Sequence, residues 1–331
     1  MQRWVEHLKN NKKVLPILSF PAVQKLNCSV KELLYDSHLQ AQAMKLIVDE
    51  CDLPAGLGLM DLSIEAECFG ANIKYSDNEL PTVIGALIED SADELVIPSV
   101  HSKRAEVYIQ AMKEAKNIIT DRPVIAGMIG PFSLAGRLLD VSEALILCYE
   151  DPDLVHDVLE KVTQFLIEYG KAFKEVGANG VIMAEPLAGI LSPALVQEFS
   201  SDYSKRIVEA LQDDDFIVIY HNCGNNTLKM VDSLVSIGCP IYHFGNAIDM
   251  KEMLELMPEN KIVLGNIDPA GVLRDGSVDK VKESVETLLE ACGSKQNFIL
   301  SSGCDIPYST PWENIKCFLD IGNHYYEKNN S

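Results

Sequence analysis

No stretch of this chain reaches the ~18 uninterrupted apolar residues that a membrane span needs. Charged residues or proline break even the richest stretch, residues 181–196. Residues 1–13 are polar and carry no apolar block followed by small residues, so no secretory signal is read there and a soluble, cytoplasmic protein is expected. Basic residues are also scarce: 28 Lys and Arg stand against 49 Asp and Glu, a formal charge of -21. With no basic run or aromatic-basic stripe, the chain repels a phosphate backbone, and nucleic acid is not expected as a partner. No G-x-G-x-x-G follows an apolar run, which argues against a dinucleotide-binding doubly wound sheet. Arginine is missing between Arg3 and Arg104. No linker, composition break or solenoid-length repeat divides the chain, so residues 1–331 are read as one domain. The nine cysteines are scattered and odd in number, as expected of reduced thiols.

What the chain does have is alternation. Short apolar runs at residues 14–20, 57–62, 123–129, 180–184, 216–220, 241–244, 262–265 and 298–300 read as eight strands. Longer amphipathic segments lie between them. In residues 151–176, Leu154, Val158, Val162, Phe165 and Leu166 recur at three- and four-residue spacing, as in a helix that covers a sheet. Ser192-Pro193 and Thr310-Pro311 place a hydroxyl at an expected N-cap with proline at the first helical position. Gly177, Gly238 and Gly293 follow helices as breakers. Strands alternating with helices imply parallel pairing and right-handed crossovers. The fold expected is a single (β/α)8 TIM barrel of the α/β class, with an N-terminal extension and an excursion, residues 72–101, over the barrel mouth.

In such a barrel the active site lies at the C-terminal ends of the strands. Polar residues gather at the predicted ends: Asp61 with Ser63, Glu185, His221 with Cys223, Asn246, Asn266 with Asp268, and Cys304 with Asp305. A lone strand-end Asp or Asn often closes a turn or caps the next helix. The imidazole and the two thiols are harder to explain that way. His221 and Cys223 are two apart, so on a strand they share a face. With Cys304 they make a three-ligand set suited to zinc, leaving one coordination position for chemistry. His-x-Cys alone is a short pattern; it gains weight from Cys304 at the end of the eighth predicted strand. His243 is read as a core histidine and not as a ligand.

Several segments carry a family likeness: Asp61-Leu-Ser-Ile-Glu65-Ala-Glu67, Gly130-Pro131-Phe132-Ser133-Leu-Ala-Gly136-Arg137, Glu185-Pro186, His221-Asn-Cys223-Gly224, Leu264-Gly265-Asn266-Ile-Asp-Pro269, and Gly303-Cys304 leading to Thr310-Pro311-Trp-Glu-Asn314. The chain resembles the uroporphyrinogen decarboxylase superfamily, and within it the zinc-dependent methylcobamide:coenzyme M methyltransferases. That resemblance implies His221, Cys223 and Cys304 as zinc ligands and a methylcobamide, presented by a corrinoid protein, as methyl donor. It implies a thiol acceptor such as coenzyme M or homocysteine. Glu185 and Asn246 are then the catalytic candidates, and Asp61, Asn266 and Asp268 the cofactor-binding ones. The decarboxylase branch needs no metal and uses an arginine-rich N-terminal segment to hold a polycarboxylate tetrapyrrole, which this chain lacks. The resemblance is incomplete at one point: where some zinc members have a carboxylate near the metal after the sixth strand, this chain reads Phe244-Gly245-Asn246.

Overall fold

The apolar runs assemble into a curled parallel sheet in the computed structural model, which describes residues 2–329. Its strands are β1 (Gly56–Leu57), β4 (Val124–Ile129), β5 (Gly180–Ala184), β6 (Ile217–Asn222), β7 (Ile241–Phe244), β8 (Ile262–Ile267) and β9 (Phe298–Ser302). They pair in that order, every neighbour parallel. Two further strands, β2 (Ile73–Lys74) and β3 (Thr82–Val83), form a small antiparallel ribbon within the expected excursion.

Period-two alternation divides the buried residues into two cores. Ile182 of β5, Ile217 and Ile219 of β6, Ile241 of β7, Ile262 and Leu264 of β8 and Ile299 of β9 pack together on the concave side. The intervening residues, such as Val181, Met183, Val218, Tyr220 and Tyr242, face the helices in the larger core. The helix Pro152–Glu175 buries all five of the apolar residues that define its stripe, and the Asp151 side chain caps it at the Leu154 N–H. Ser192 likewise accepts from the Leu195 N–H ahead of Pro193.

Two local expectations are corrected. Residues 14–20 do not form a ladder strand, because Pro16 has no N–H to donate. The segment still runs beside β9: the Leu15 N–H donates to the Leu300 carbonyl at 3.1 Å, and the Ile17 N–H turns to Ser302 Oγ at 3.2 Å. Thr310 does not cap a helix either; the terminal helix spans Trp312–Asn329, and the Thr310 hydroxyl is buried without a partner. Among the described residues no helix is long and apolar enough to cross a membrane.

Candidate functional site

Alternation along β6 carries Ile217, Ile219 and His221 to the concave side, and Cys223 follows two residues on, just past the strand end. Gly245, after β7, lets that end pack closely: its N–H donates to the Asn222 carbonyl at 3.0 Å, and a Cβ there would stand 2.5 Å from Cys223 Cβ. At the end of β9 the chain turns at Gly303, whose N–H donates to the Ile267 carbonyl at 2.6 Å, and this swings Cys304 toward β6. The ligand atoms of His221, Cys223 and Cys304 all lie within 4.8 Å of one another. A tetrahedral zinc with Zn–S of ~2.3 Å and Zn–N of ~2.0–2.1 Å separates its sulfur and nitrogen ligands by about 3.6 Å. Cys304 Sγ is 3.6 Å from His221 Nε2, the separation such an ion imposes on that pair, and one imidazole with two thiols is a donor set that suits it.

A buried chain of hydrogen bonds aims the imidazole. Ser301 donates its only hydroxyl proton to the Leu15 carbonyl at 2.7 Å. Its oxygen therefore accepts from His243 Nε2, 2.9 Å away, and that nitrogen must carry the proton. Burial first, and then the neighbouring His221, holds His243 well below the usual imidazole range, so it is neutral and its Nδ1 is an acceptor. His221 Nδ1 lies 2.7 Å from that acceptor and donates to it. His221 Nε2 is left with a bare lone pair on the side of the two thiols. Register makes this possible, because His221 and His243 are direct cross-strand partners on the same face. His243 is thus a satisfied core histidine, as expected, placed directly behind the candidate ligand.

The two thiols share a proton. A hydrogen bond from Cys304 brings Cys223 down to about 7, whereas Cys304, which holds the proton and is more deeply buried, is pushed up to about 12. Above about pH 7 the pair therefore keeps a single proton, one step from the dianionic form a zinc site requires. The other seven cysteines are free thiols.

His221, Cys223 and Cys304 form part of the wall of a cavity of about 510 Å3, within the usual ~300–1,000 Å3 of small-molecule sites. Asp61, Arg137, Asp305 and residues 78–82 of the excursion line it as well. Asp61 is fixed from behind: it binds the buried Arg104 guanidinium and accepts from the Ser63 N–H at 3.0 Å and hydroxyl at 2.6 Å. Asp305 has one carboxylate oxygen buried without a partner, and burial holds its carboxyl well above the usual range.

The remaining candidates lie outside this lining. Ala184 faces the cavity, so Glu185, next along the chain, turns to the helix side. There its carboxylate accepts from the Ser133 N–H at 2.9 Å and the Ser200 hydroxyl at 2.6 Å, and burial raises it to about 7. Asn246 is exposed beside Gly303. Asn266 donates to the carbonyls of Gly245 and Ile248, and Asp268 caps the turn at Ala270 and Gly271. Sequence reasoning gave no role to Arg137 or Ser301. Arg137 was visible as the single cation of the Gly130–Arg137 segment, while Ser301 was legible only through the period of β9.

Comparison with known proteins agrees with this architecture. The chain is 27% identical over 302 residues to a methylcobamide:CoM methyltransferase of Methanosarcina acetivorans, covering 88% of this chain and 86% of that one. It is 25% identical over 311 residues to a uroporphyrinogen decarboxylase of Desulfotalea psychrophila, covering 91% and 89%. A solved methyltransferase from Methanosarcina mazei shares the fold with a TM-score of 0.86, at 22% identity, over 97% of this chain and 98% of that one. Residues 17–325 match the sequence profile of uroporphyrinogen decarboxylase (URO-D), and the chain belongs to that family.

Proposed function

We propose that the protein is a zinc-dependent methyltransferase that moves a methyl group from a methylated corrinoid, presented by a corrinoid protein, to a thiol bound in the cavity. The observation that carries this reading is the approach of one imidazole and two thiols to within 4.8 Å at the wall of a cavity of ligand size. Zinc held there would supply the Lewis acidity that keeps an entering thiol deprotonated and nucleophilic toward the corrinoid's methyl group. The chain's own residues do the rest. His221 offers Nε2 because the chain through His243 and Ser301 fixes its tautomer. Cys223 and Cys304 offer sulfur, and their shared proton leaves when both become ligands. Asp61, held by Arg104, and Asp305 supply fixed polar groups on the same wall.

The finer fold belongs to this proposal. We read residues 14–18 as the eighth stave of one (β/α)8 barrel, since Leu15 and Ile17 sit in the inner core and Leu15 bonds β9. Residues 78–82 then act as the excursion over the mouth.

Two measurements test the reading. Native protein should carry about one zinc per chain, and Cys304→Ala should lose most of it. Supplied with methylcobalamin or a methylated corrinoid protein, the enzyme should convert a thiol to its methyl thioether with release of cob(I)alamin. Equal zinc in both proteins, or no thioether from a panel that includes coenzyme M and homocysteine, would overturn it.

A further inference from the structure

Two guanidinium groups line the cavity, and they differ in one respect. Arg274 is occupied: its Nε and a terminal nitrogen both donate to Asp275, each at 2.7 Å. Arg137 is not. Its Nε is buried without a partner, and it makes no hydrogen bond or ion pair with any described residue. It stands in the helix Pro131–Leu139, which follows β4, and so reaches the cavity from the strand-end side. Two carboxylates act on it electrostatically without a hydrogen bond. Asp61 is bound by Arg104; Glu65 gives one oxygen to the Ile129 N–H at 3.0 Å, leaves the other buried without a partner, and is raised to about 7 by burial, which weakens it as a counter-ion. A half-buried guanidinium with free donors is costly to leave unpaired, most of all in a chain of net charge -21 whose stray cations readily find acidic partners.

We propose that Arg137 is the anion-binding subsite for the acceptor: its guanidinium takes the oxyanion, a sulfonate or carboxylate, at the end of the substrate opposite the thiol. This rests on the thiol-acceptor reading above. A planar fork of donors suits either oxyanion, since both offer two oxygens for bidentate pairing. Arg137, Cys223 and Cys304 line one cavity, and on this proposal a single bound molecule sets its anion at the first and its sulfur at the other two. The site selects short thiols that carry a negative charge and disfavours neutral ones, because a neutral thiol leaves the guanidinium desolvated and unpaired.

The test compares 2-mercaptoethanesulfonate, 3-mercaptopropionate and 2-mercaptoethanol as acceptors, in wild type, Arg137→Gln and Arg137→Lys. In wild type kcat/KM should favour the anionic thiols, and the better of the two identifies the oxyanion. In Arg137→Gln the anionic-to-neutral ratio should fall by roughly ten- to a hundredfold, the loss expected for a charge-assisted hydrogen bond. Arg137→Lys should recover part of it. A wild-type ratio near one, or a ratio that Arg137→Gln leaves in place, overturns the proposal while the methyl-transfer reading stands. If no thiol is methylated, calorimetry with ethanesulfonate and propionate decides separately. Binding lost in Arg137→Gln and partly restored in Arg137→Lys supports the subsite, and binding that is absent or equal in all three proteins refutes it. Should Arg137→Gln fold poorly, the comparison of wild type with Arg137→Lys carries the same ratio.

Discussion

Ser301→Ala should weaken zinc binding without touching a ligand. The hydroxyl is fully buried and does two things at once: it accepts from His243 Nε2 at 2.9 Å and donates to the Leu15 carbonyl at 2.7 Å. Removing it takes away the His243 N–H's acceptor at 2.9 Å, and a buried donor left unsatisfied costs up to about 1–3 kcal/mol. The neutral His243 then has reason to move its proton to Nδ1, where it faces His221 Nδ1, 2.7 Å away. In that tautomer His221 must accept at Nδ1 and carry its own proton on Nε2, the nitrogen 3.6 Å from Cys304 Sγ. Such an imidazole cannot ligate a metal until the proton is moved back. The penalty for restoring the correct tautomer is of the same order as the unsatisfied donor, so zinc affinity should fall by about 10–100-fold, the usual range for groups that orient a ligand.

Competition with a chromophoric chelator at fixed pH measures the affinity, and thermal melting of the metal-free protein measures the fold. His243→Phe should behave like Ser301→Ala or worse, because it removes the acceptor that holds His221 Nδ1. Wild-type zinc affinity in a well-folded Ser301→Ala would show that His221's tautomer is not set from behind, and the relay would lose its function.

Three further outcomes follow from the same geometry. Zinc affinity should rise with pH, because protons compete with the metal for the thiols: above about 7 the pair holds one proton, mainly on Cys304, so affinity should climb about tenfold per pH unit toward 9 and more steeply below 7. Chelator competition across pH checks this, and a flat profile refutes it. Glu65 keeps its proton in the folded state up to about 7, whereas the unfolded chain releases it near the usual carboxylate value, so this residue's contribution to stability falls as pH rises through that window. Glu65→Gln should therefore gain on wild type between pH 5 and 8 by up to about 3 kcal/mol, read from melting curves; a constant difference would count against it. Uroporphyrinogen should not be decarboxylated, because residues 4–103 contain no arginine and only two line the cavity, one of them paired to Asp275. Sustained formation of coproporphyrinogen would contradict this.

Much of the framework was legible because strand-length apolar runs and their punctuation report short-range physics. Six of the eight expected strands form over most of their predicted length; the one expected at residues 57–62 is cut to Gly56–Leu57, and Pro16 explains the one at residues 14–20, which lies beside β9 without a full ladder. The candidate polar residues separate less cleanly, since a strand-end Asp or Asn has local uses that no pattern distinguishes from catalytic ones. Asp268 caps the turn that follows it, and Asn266 ties together the carbonyls after β7. Arg104 shows the converse: it lies 43 residues from Asp61, and only the fold reveals that it fixes that carboxylate.

Parity along the strands decides which strand-end group reaches the cavity, and it explains both a success and a failure. In β6 the isoleucines at 217 and 219 point inward, so His221 and Cys223 must follow while Asn222 turns outward, where its side chain bonds the Glu185 carbonyl and Thr227. In β5 the inward positions are Ile182 and Ala184, so Glu185 is out of phase by one residue and turns to Ser133 and Ser200. The same count applied to β9 puts Ile299 and Ser301 inward, which makes Ser301 a neighbour of His243 and predicts the wrong face for Cys304. The turn at Gly303 breaks the count there and returns Cys304 to the inner side. A site that takes two ligands in phase from one strand and the third from a strand rephased by a glycine turn is one that spacing can suggest but only the fold can assemble.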